Sequence, residues 1–347
     1  MRISSALPHG VSALLGESAR ERRRLEALLA EHLQAAGFEE AVLPIVDYLE
    51  PYEPLLTPAA RRELYQFVDR DGELLALRAD FTPMLARLIA PRVDSLSFPL
   101  RVYYRGDVVR FQEERPGRLR EFYQLGAELV GEAGEAAEES MLRLFLELVT
   151  AGYGGSLDVV LGFAGALDRV LDQALDQLGM ESPQGAAAGR RDLAAALLRR
   201  DREALRRAGA PVLLQVADGG VPEDPQELGP PGERLPGLLE LARRLDDEFP
   251  GVRISVDLAE FATLSLAEPA GPASGDGADA ALGGRPYYDG LVFRAYLGAS
   301  AQPVGGGGRY DRLFRALGAE VPAVGFSVGL DRLARALEGA RRPGGAR

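Results

Sequence analysis

Apolar residues recur at helical spacing near the start of the chain. From about Ser18 to Ala36, leucines stand three or four positions apart among charged residues. This spacing predicts an amphipathic helix, which Gly37 ends. A second helix is predicted from Glu132 to Thr150, with a solvated acidic face formed by Glu132, Glu135, Glu138 and Glu139.

Extended and turn patterns follow the first helix. The stretch GFEEAVLPIVDYLE is strand-like, and LYQFVDRDGELLAL predicts a hairpin that turns at Asp71-Gly72. Thr82 and Pro83 provide a cap and a first-turn proline for a further helix. Because hairpins, long strands and helices follow one another without an evident βαβ repeat, we expect an α+β fold, an antiparallel sheet flanked by helices.

Composition shifts divide the chain. Leucine and alanine at helical spacing dominate residues 164–250, between proline- and glycine-rich breaks, and predict a small, mainly helical insertion. Residues 1–163 and 251–340 would then form the core. The low-complexity stretch 266–284 predicts a flexible loop, and residues 341–347 a frayed tail.

Composition also excludes several functional classes. The chain has 347 residues, 46% of them hydrophobic, and no apolar run of the roughly 18 to 20 residues that a membrane helix needs. The start also lacks the apolar core of a signal peptide, so we expect a cytoplasmic protein without membrane contact. There is no cysteine, and His9 and His32 are the only histidines. We therefore expect neither a metal site nor a bound cofactor.

Charge limits the partners further. All 40 basic residues are arginine, which removes Walker-type phosphate binding and Schiff-base catalysis by lysine. A net charge of −12 repels polyanions, so we do not expect tRNA binding.

Two distant segments carry the candidate chemistry. Arg101 to Gly131 reads as strand, loop and returning strand, with arginines whose guanidinium forks suit a polyphosphate. Val304 to Leu333 is glycine-rich, so that its backbone can approach a ligand closely, with Gly305 to Gly308 expected as a flexible loop. The pair predicts a pocket for a nucleotide and an amino acid.

These segments resemble the catalytic core of class II aminoacyl-tRNA synthetases and, within that class, histidyl-tRNA synthetase. Gly37 to Glu50 is similar to the first class motif, which forms a dimer interface and ends its strand at a proline, here Pro44. Arg101 to Gly131 resembles the second motif and Gly325 to Leu333 the third. RADFT, QLGAE, PYYDGLVF and GGGRYD match signatures of the histidine branch.

The resemblance implies two sets of site residues. The first would bind histidine, with side chains for its ammonium and a tyrosine pair that frames the imidazole: Asp80, Thr82, Gln124, Glu128, Tyr287 and Tyr288. The second would be a vestigial ATP site, with arginines for the phosphates and a ring beneath the adenine: Arg110, Arg118, Phe122 and Arg332. Ordinary strand core is the alternative role for the tyrosines, and a solvated surface for each arginine.

The sequence departs from the synthetase in three places. Counting back from the tyrosine pair, the arginine that assists adenylate formation in the synthetase is replaced by Gly283. Arg285 is nearby, but it directly precedes a proline, and we expect the extended backbone there to direct its side chain elsewhere. The synthetase continues for roughly a hundred residues into an anticodon-binding domain, whereas this sequence ends at Arg347. RADFT replaces the synthetase's arginine-proline-glutamate-glycine-threonine, so that Asp80 has a shorter acidic arm.

These departures favour a non-catalytic relative, similar to the regulatory subunits of ATP phosphoribosyltransferase. That resemblance implies a protein required by a short-form catalytic subunit in the first step of histidine biosynthesis, with histidine as a feedback effector. It further implies a homodimer through Gly37 to Glu50 within a hetero-octamer. The alternatives are a truncated synthetase-like enzyme that activates an amino acid with ATP, and a histidine-binding module without this partner.

Overall fold

The computed structural model describes residues 7–56, 58–112, 119–180, 182–209, 211–265, 288–298, 300 and 302–341. Two sheets organise this part of the chain. Its strands are β1 (Glu39–Glu40), β2 (Val46–Tyr48), β3 (Gln66–Val68), β4 (Leu74–Leu77), β5 (Leu100–Val109), β6 (Glu121–Val130), β7 (Leu157–Phe163), β8 (Val252–Val256), β9 (Leu291–Leu297), β10 (Pro303–Arg309) and β11 (Ala323–Gly329).

The large sheet has eight strands in the order β1-β5-β6-β11-β10-β9-β7-β8. Its inner strands pair antiparallel, as the sequence predicts, while the pairs at the two edges, β1 with β5 and β7 with β8, are parallel. The fold is thus the expected helix-flanked sheet, with a mixed strand arrangement. The parallel edge at β8 arises because the chain returns to the sheet through a run of helices.

Helices and short 3₁₀ turns surround the sheets. The helices are α1 (Glu17–Ala35), α2 (Pro58–Glu63), α3 (Thr82–Ile89), α4 (Glu135–Gly152), α5 (Asp168–Gln177), α6 (Pro183–Leu198), α7 (Arg202–Arg207), α8 (Pro211–Gly219), α9 (Leu235–Glu248), α10 (Asp311–Ala316) and α11 (Leu330–Arg341). Helices α5 to α9 lie between β7 and β8, within the region predicted to be mainly helical. In the part of the chain that the structure describes, no helix is both long and apolar enough to cross a membrane.

The large sheet has two different faces. Helices α1, α4 and α11 pack on one of them and bury rings such as Phe145, Phe293 and Phe326 in the main core. The other face carries polar and small residues at its centre, and beside them a second apolar cluster that includes Met84 of α3 and Tyr310. Because side chains alternate along a strand, the residues two apart on β6, β9, β10 and β11 line this second face. The candidate site is built there.

The segment from Gly37 to Glu50 is divided between the two sheets. Glu39–Glu40 joins the large sheet beside β5, and Val46–Tyr48 pairs with β4 in a three-stranded sheet of order β2-β4-β3. Pro44 lies between the two strands, where no ladder hydrogen bond requires the backbone N–H that proline lacks. The predicted hairpin at Asp71-Gly72 is present as β3 and β4, and Gly72 has the positive φ that its turn requires.

Two local predictions are wrong. Gly305 to Gly308 is part of β10, in the middle of the large sheet, because β9 and β11 satisfy its backbone on both sides. Glu138 was expected on a solvated face, yet it is buried against Arg309. The flexible loop predicted over 266–284 lies outside the described residues, as does the predicted tail except for Arg341, the last residue of α11.

Candidate functional site

Glu128 is the centre of a buried hydrogen-bond network on β6. Its carboxylate accepts a hydrogen bond from Thr82 Oγ1 at 2.6 Å and another from the Tyr104 hydroxyl at 3.1 Å, both at Oε1. The Tyr310 hydroxyl donates to the other oxygen, Oε2. The side chain has only 1% of its surface exposed. Three hydroxyl donors therefore hold one carboxylate in a fixed orientation.

Burial raises the pKa of Glu128 to about 7, because the charged form loses its hydration. The hydroxyl donors oppose this shift, since they stabilise the carboxylate, and the nearby charge of Asp80 adds to it. A group of this kind changes its charge near neutral pH. It is suited to receiving a cationic or hydrogen-bond-donating ligand, which would favour the ionised form.

Asp80 joins the start of α3 to the second-motif strands. Its Oδ1 accepts a hydrogen bond from the backbone N–H of Thr82 at 3.1 Å, and Oδ2 lies 3.3 Å from Arg110 Nη2. Arg110 also donates from Nε to the carbonyl of Ala79 at 2.7 Å. Burial raises the pKa of Asp80, against the attraction of Arg110. The side chain predicted for ATP phosphate thus lies 1% exposed in an internal ion pair.

A narrow cleft opens beside this network. Four of the predicted site residues line it: Gln124, Tyr288, Phe122 and Arg332. The cleft thus brings two of the predicted histidine residues together with two of the predicted nucleotide residues. The lining does not include Asp80, Thr82, Arg110 or Glu128. Tyr287 and Arg118, like Gly283 and Arg285, lie outside the described residues.

Gln124 carries an unsatisfied acceptor at the cleft. Its Nε2 donates to Ser327 Oγ at 3.3 Å, while its buried Oε1 has no hydrogen-bond partner. Leaving a buried amide oxygen without a donor costs about 1 to 3 kcal/mol. Such an atom in the wall of a cleft points to a ligand that brings the missing N–H or O–H.

Arg332 extends from α11 into the same cleft. Its guanidinium donates to the carbonyl of Pro303, the first residue of β10. Burial, with a smaller contribution from the neighbouring charge of Arg335, lowers the pKa of Arg332 to about 10. The group remains protonated at neutral pH, so that it is a desolvated positive charge facing the cleft.

Glycines make room for the site. Gly325 of β11 pairs with Glu128 of β6, and a Cβ at Gly325 would lie 1.5 Å from Glu128 Oε2. A Cβ at Gly308 would lie 2.8 Å from the Tyr288 ring. The close approach that the sequence predicts for this glycine-rich segment therefore occurs, although it first serves side chains of the protein itself.

Sequence reasoning missed several members of the site. Tyr104, Tyr310, Ser327 and Arg294 were not predicted, although Tyr310 and Ser327 lie within the glycine-rich segment. The alternation of side chains along β6 could have helped to find them. Gln124 and Glu128 are an even number of residues apart, so they share a face of the sheet with the residues that pair with them on β5 and β11. No local signal identifies Tyr104 or Arg294.

Known proteins resemble this chain over nearly its whole length. The family model for histidyl-tRNA synthetase matches residues 10–268 and 272–333. An ATP phosphoribosyltransferase regulatory subunit of Symbiobacterium thermophilum is 35% identical over 96% of this chain and 80% of its own length. A histidine-tRNA ligase of Pyrobaculum islandicum is 31% identical over 97% of this chain and 76% of its own length.

Solved structures agree on the fold. A Bacillus halodurans structure described as an ATP phosphoribosyltransferase regulatory subunit/histidyl-tRNA synthetase aligns with a TM-score of 0.72 at 24% identity, covering 97% of this chain and 84% of that chain. Apo histidyl-tRNA synthetase of S. aureus aligns with a TM-score of 0.62 at 20% identity, covering 96% and 74%. This chain belongs to the histidyl-tRNA synthetase family, whose fold is that of the class II aminoacyl-tRNA synthetases.

Proposed function

We propose that this chain is a non-catalytic regulatory subunit required in the cytoplasm by a short-form ATP phosphoribosyltransferase, the enzyme of the first step of histidine biosynthesis. Relatives named as regulatory subunits of that enzyme support the role, with 35% identity over 96% of the chain in one case and 33% over 94% in another. In this role the protein activates a catalytic subunit and contributes to its inhibition by histidine.

The position of Arg110 is the observation that carries the non-catalytic part of the proposal. A phosphate-binding arginine must present its guanidinium to the ligand, since preorganised charge at the reacting group is what stabilises the transition state. Arg110 instead pairs with Asp80 inside the protein. The substitution of Gly283 for the synthetase's catalytic arginine supports the same conclusion from the sequence.

The cleft supports histidine as the ligand. We propose that Gln124, Glu128, Asp80 and Thr82 receive the ammonium and imidazole donors, and that Tyr288, with Tyr287, flanks the ring. Gln124 Oε1 lacks a donor, and a ligand that brings an N–H would satisfy it. An amino acid with an imidazole supplies both kinds of donor.

Reconstitution tests the proposal. A short-form catalytic subunit is assayed for phosphoribosyl-ATP formation alone, with this protein, and with this protein plus histidine. We expect activity only in the mixture and inhibition by histidine. Equal activity of the catalytic subunit without this protein would overturn the regulatory role.

Coupling between the histidine site of this protein and the catalytic subunit requires a separate measurement. If histidine acts through the complex, linkage demands that the catalytic subunit change the affinity of this protein for histidine. Calorimetry with and without the catalytic subunit measures that change. Equal affinities would reject allosteric coupling while leaving activation untouched.

A synthetase-like enzyme is the second candidate. Phe122 and Arg332, the predicted adenine and phosphate contacts, line the same cleft, and a relative named histidine-tRNA ligase is 31% identical. Histidine-dependent exchange of pyrophosphate into ATP would establish this activity. A histidine-binding module without the transferase partner is the third, and co-purification with the catalytic subunit separates it from the regulatory role.

The assembly is proposed to be a homodimer through Gly37 to Glu50 that joins catalytic subunits in a hetero-octamer. This segment and the small sheet expose apolar side chains, among them Val42, Tyr48 and Val68. Exposed apolar residues clustered on one surface are typical of protein interfaces. Tyr48 of β2 and the exposed Phe67 of β3 both lie opposite Leu75 of β4, so they share one face of the small sheet.

A further inference from the structure

Arg78 holds residues 42–45 from the inside of the protein. These residues lie between β1 and β2, within the proposed dimer interface. Arg78 Nη1 donates to the carbonyls of Leu43 at 2.7 Å and Pro44 at 2.9 Å, while Nε and Nη2 donate to the carbonyl of Asp107 at 3.0 Å and 2.7 Å. One guanidinium thus fixes two successive carbonyls of this segment against β5.

The same guanidinium leads to the candidate site through two aromatic rings. Arg78 Cζ lies 3.9 Å from the centre of the Phe81 ring, which stacks on the Tyr104 ring with 4.3 Å between centres and 8° between planes. The Tyr104 hydroxyl donates to Glu128 Oε1 at 3.1 Å. All four side chains are buried. Because buried side chains are close-packed, a displacement of one member must be accommodated by the next.

Two glycines leave room for these side chains. A Cβ at Gly106 of β5 would lie 2.9 Å from Arg78 Nη2 and 3.1 Å from the Phe81 ring. A Cβ at Gly126 of β6 would lie 2.4 Å from the Tyr104 hydroxyl. A side chain at either position would displace a member of the stack, so the stack depends on the bare backbone of both strands.

The Tyr104 hydroxyl has two neighbours with which it can form a hydrogen bond. Glu128 Oε1 lies at 3.1 Å and Thr82 Oγ1 at 3.3 Å. A hydrogen bond to an ionised carboxylate is stronger than one to a neutral group. A charged Glu128 therefore holds Tyr104 in place, whereas a neutral side chain at that position would let the hydroxyl bond to Thr82 instead. The group at position 128 selects between two arrangements of the stack.

We infer that the Arg78–Phe81–Tyr104 stack couples the Glu128 carboxylate to residues 42–45, so that a ligand at Glu128 orders the surface proposed for dimer formation. An ordered segment loses less conformational entropy on association, so the ligand favours the dimer and, by linkage, the dimer favours the ligand. The identity of the ligand rests on the proposed function, but the coupling begins at Glu128 and is testable without a ligand.

Hydrogen exchange of residues 38–48, followed by mass spectrometry, tests the coupling without a ligand. Glu128→Gln removes the charge that holds Tyr104 and should speed this exchange at least roughly fivefold, the lower end of typical coupling between sites. Phe81→Leu breaks the stack in its middle and keeps the hydroxyl donors around Glu128. In that background, adding Glu128→Gln should change the exchange by less than about twofold, the scatter expected of independent sites.

Helix α9 is the internal control. Its residues, 235–248, lie in the helical region between β7 and β8 and make no contact with the stack. Their exchange should not respond to Glu128→Gln. An equal change in both segments would report a loss of global stability and would count against the coupling.

A second arm adds L-histidine at a concentration that calorimetry shows to saturate each variant. Exchange of residues 38–48 should slow at least roughly fivefold in the native chain. It should not change in Tyr104→Phe, which loses the hydroxyl that contacts Glu128. Tyr103→Phe is the matched control, because Tyr103 is the preceding residue of β5, faces the other side of the sheet and donates to Glu40 at 3.0 Å. In Tyr103→Phe the histidine effect should persist.

The outcomes separate the coupling from the proposed function. Unchanged exchange of residues 38–48 in Glu128→Gln would overturn the inference, as would an equal response in the Phe81→Leu background or histidine binding without slower exchange. Absence of histidine binding would reject the ligand of the proposed function, and the Glu128→Gln comparison would still decide the coupling. If Phe81→Leu does not fold, Tyr104→Phe replaces it in that comparison, because it keeps the stacked ring.

Discussion

Gly325 faces Glu128 across the β6–β11 pair, and a Cβ on the glycine would lie 1.5 Å from the glutamate's Oε2. An alanine at this position could not avoid the contact by changing its rotamer, because the backbone fixes the position of Cβ. The position of the Glu128 carboxylate therefore depends on the absence of a side chain at Gly325. The sequence motif shows this glycine only as part of the family resemblance.

Gly325→Ala should lower stability and displace Glu128. Forcing an extra methyl into a packed core costs about 1 to 3 kcal/mol. Urea unfolding measures that loss, and calorimetry should show histidine binding reduced together with it. Gly154→Ala is the matched control, since a Cβ at Gly154 would meet nothing within 4 Å. Equal behaviour of the two variants would contradict the packing argument.

Glu128 makes stability depend on pH. Burial raises its pKa from 4.5 to about 7, so the folded protein favours the protonated form. As pH rises above 4.5 the unfolded chain ionises first, and the folded state loses stability relative to it until the pH passes about 7. Between pH 5.5 and 8 the native chain should lose about 2 kcal/mol relative to Glu128→Gln. The same difference in unfolding free energy between the native chain and Glu128→Gln at both pH values would refute this.

Gln124→Leu should weaken histidine binding without lowering the stability of the fold. The substitution removes the unsatisfied Oε1 at the expense of one 3.3 Å hydrogen bond to Ser327. We expect unfolding free energy to be unchanged or raised by up to about 1 kcal/mol. Histidine affinity should fall at least roughly tenfold. A variant that binds histidine normally would show that Gln124 does not contact the ligand.

Glu138 should be essential to the fold, although it was predicted on the surface. Its carboxylate pairs with Arg309 at 2.8 Å and with Arg234, next to α9. Glu138→Gln removes one of the two carboxylates that pair with buried Arg309, the other being Asp311, and should cost about 3 kcal/mol. Glu135→Gln is the control, because Glu135 also pairs with Arg234 but is 74% exposed. Its effect should stay below about 1 kcal/mol.

Val42→Glu tests the proposed dimer. Val42 lies in the Gly37 to Glu50 segment and is 87% exposed. If this surface is an interface, a buried unpaired charge should dissociate the dimer, which sedimentation velocity measures. Leu15→Glu places the same charge on another exposed apolar residue and should leave assembly unchanged. An intact dimer in the Val42 variant would place the interface elsewhere.

The sequence carries much of this protein's description because its signals are local. Helical spacing predicts α1 to within one residue, and Asp71-Gly72 predicts the hairpin. Thr82-Pro83 predicts the start of α3, but the predicted cap is wrong, because Phe81 is the N-cap residue and the Thr82 hydroxyl donates to Glu128. Motif order alone was enough to identify the family. It also selected Gln124, Tyr288, Phe122 and Arg332, which the structure brings together in one cleft.

Tertiary structure decided what depends on pairing between distant strands. Glycines that read as a loop became a central strand because β9 and β11 hydrogen-bond both of its edges. The sequence predicts Arg110 as a phosphate ligand, but in the fold it lies beside Asp80. Both side chains are buried, so removing either one would leave the other as an unpaired buried charge. A sequence records which residues are available, and only the register of β6, β9, β10 and β11 determines which of them face one ligand.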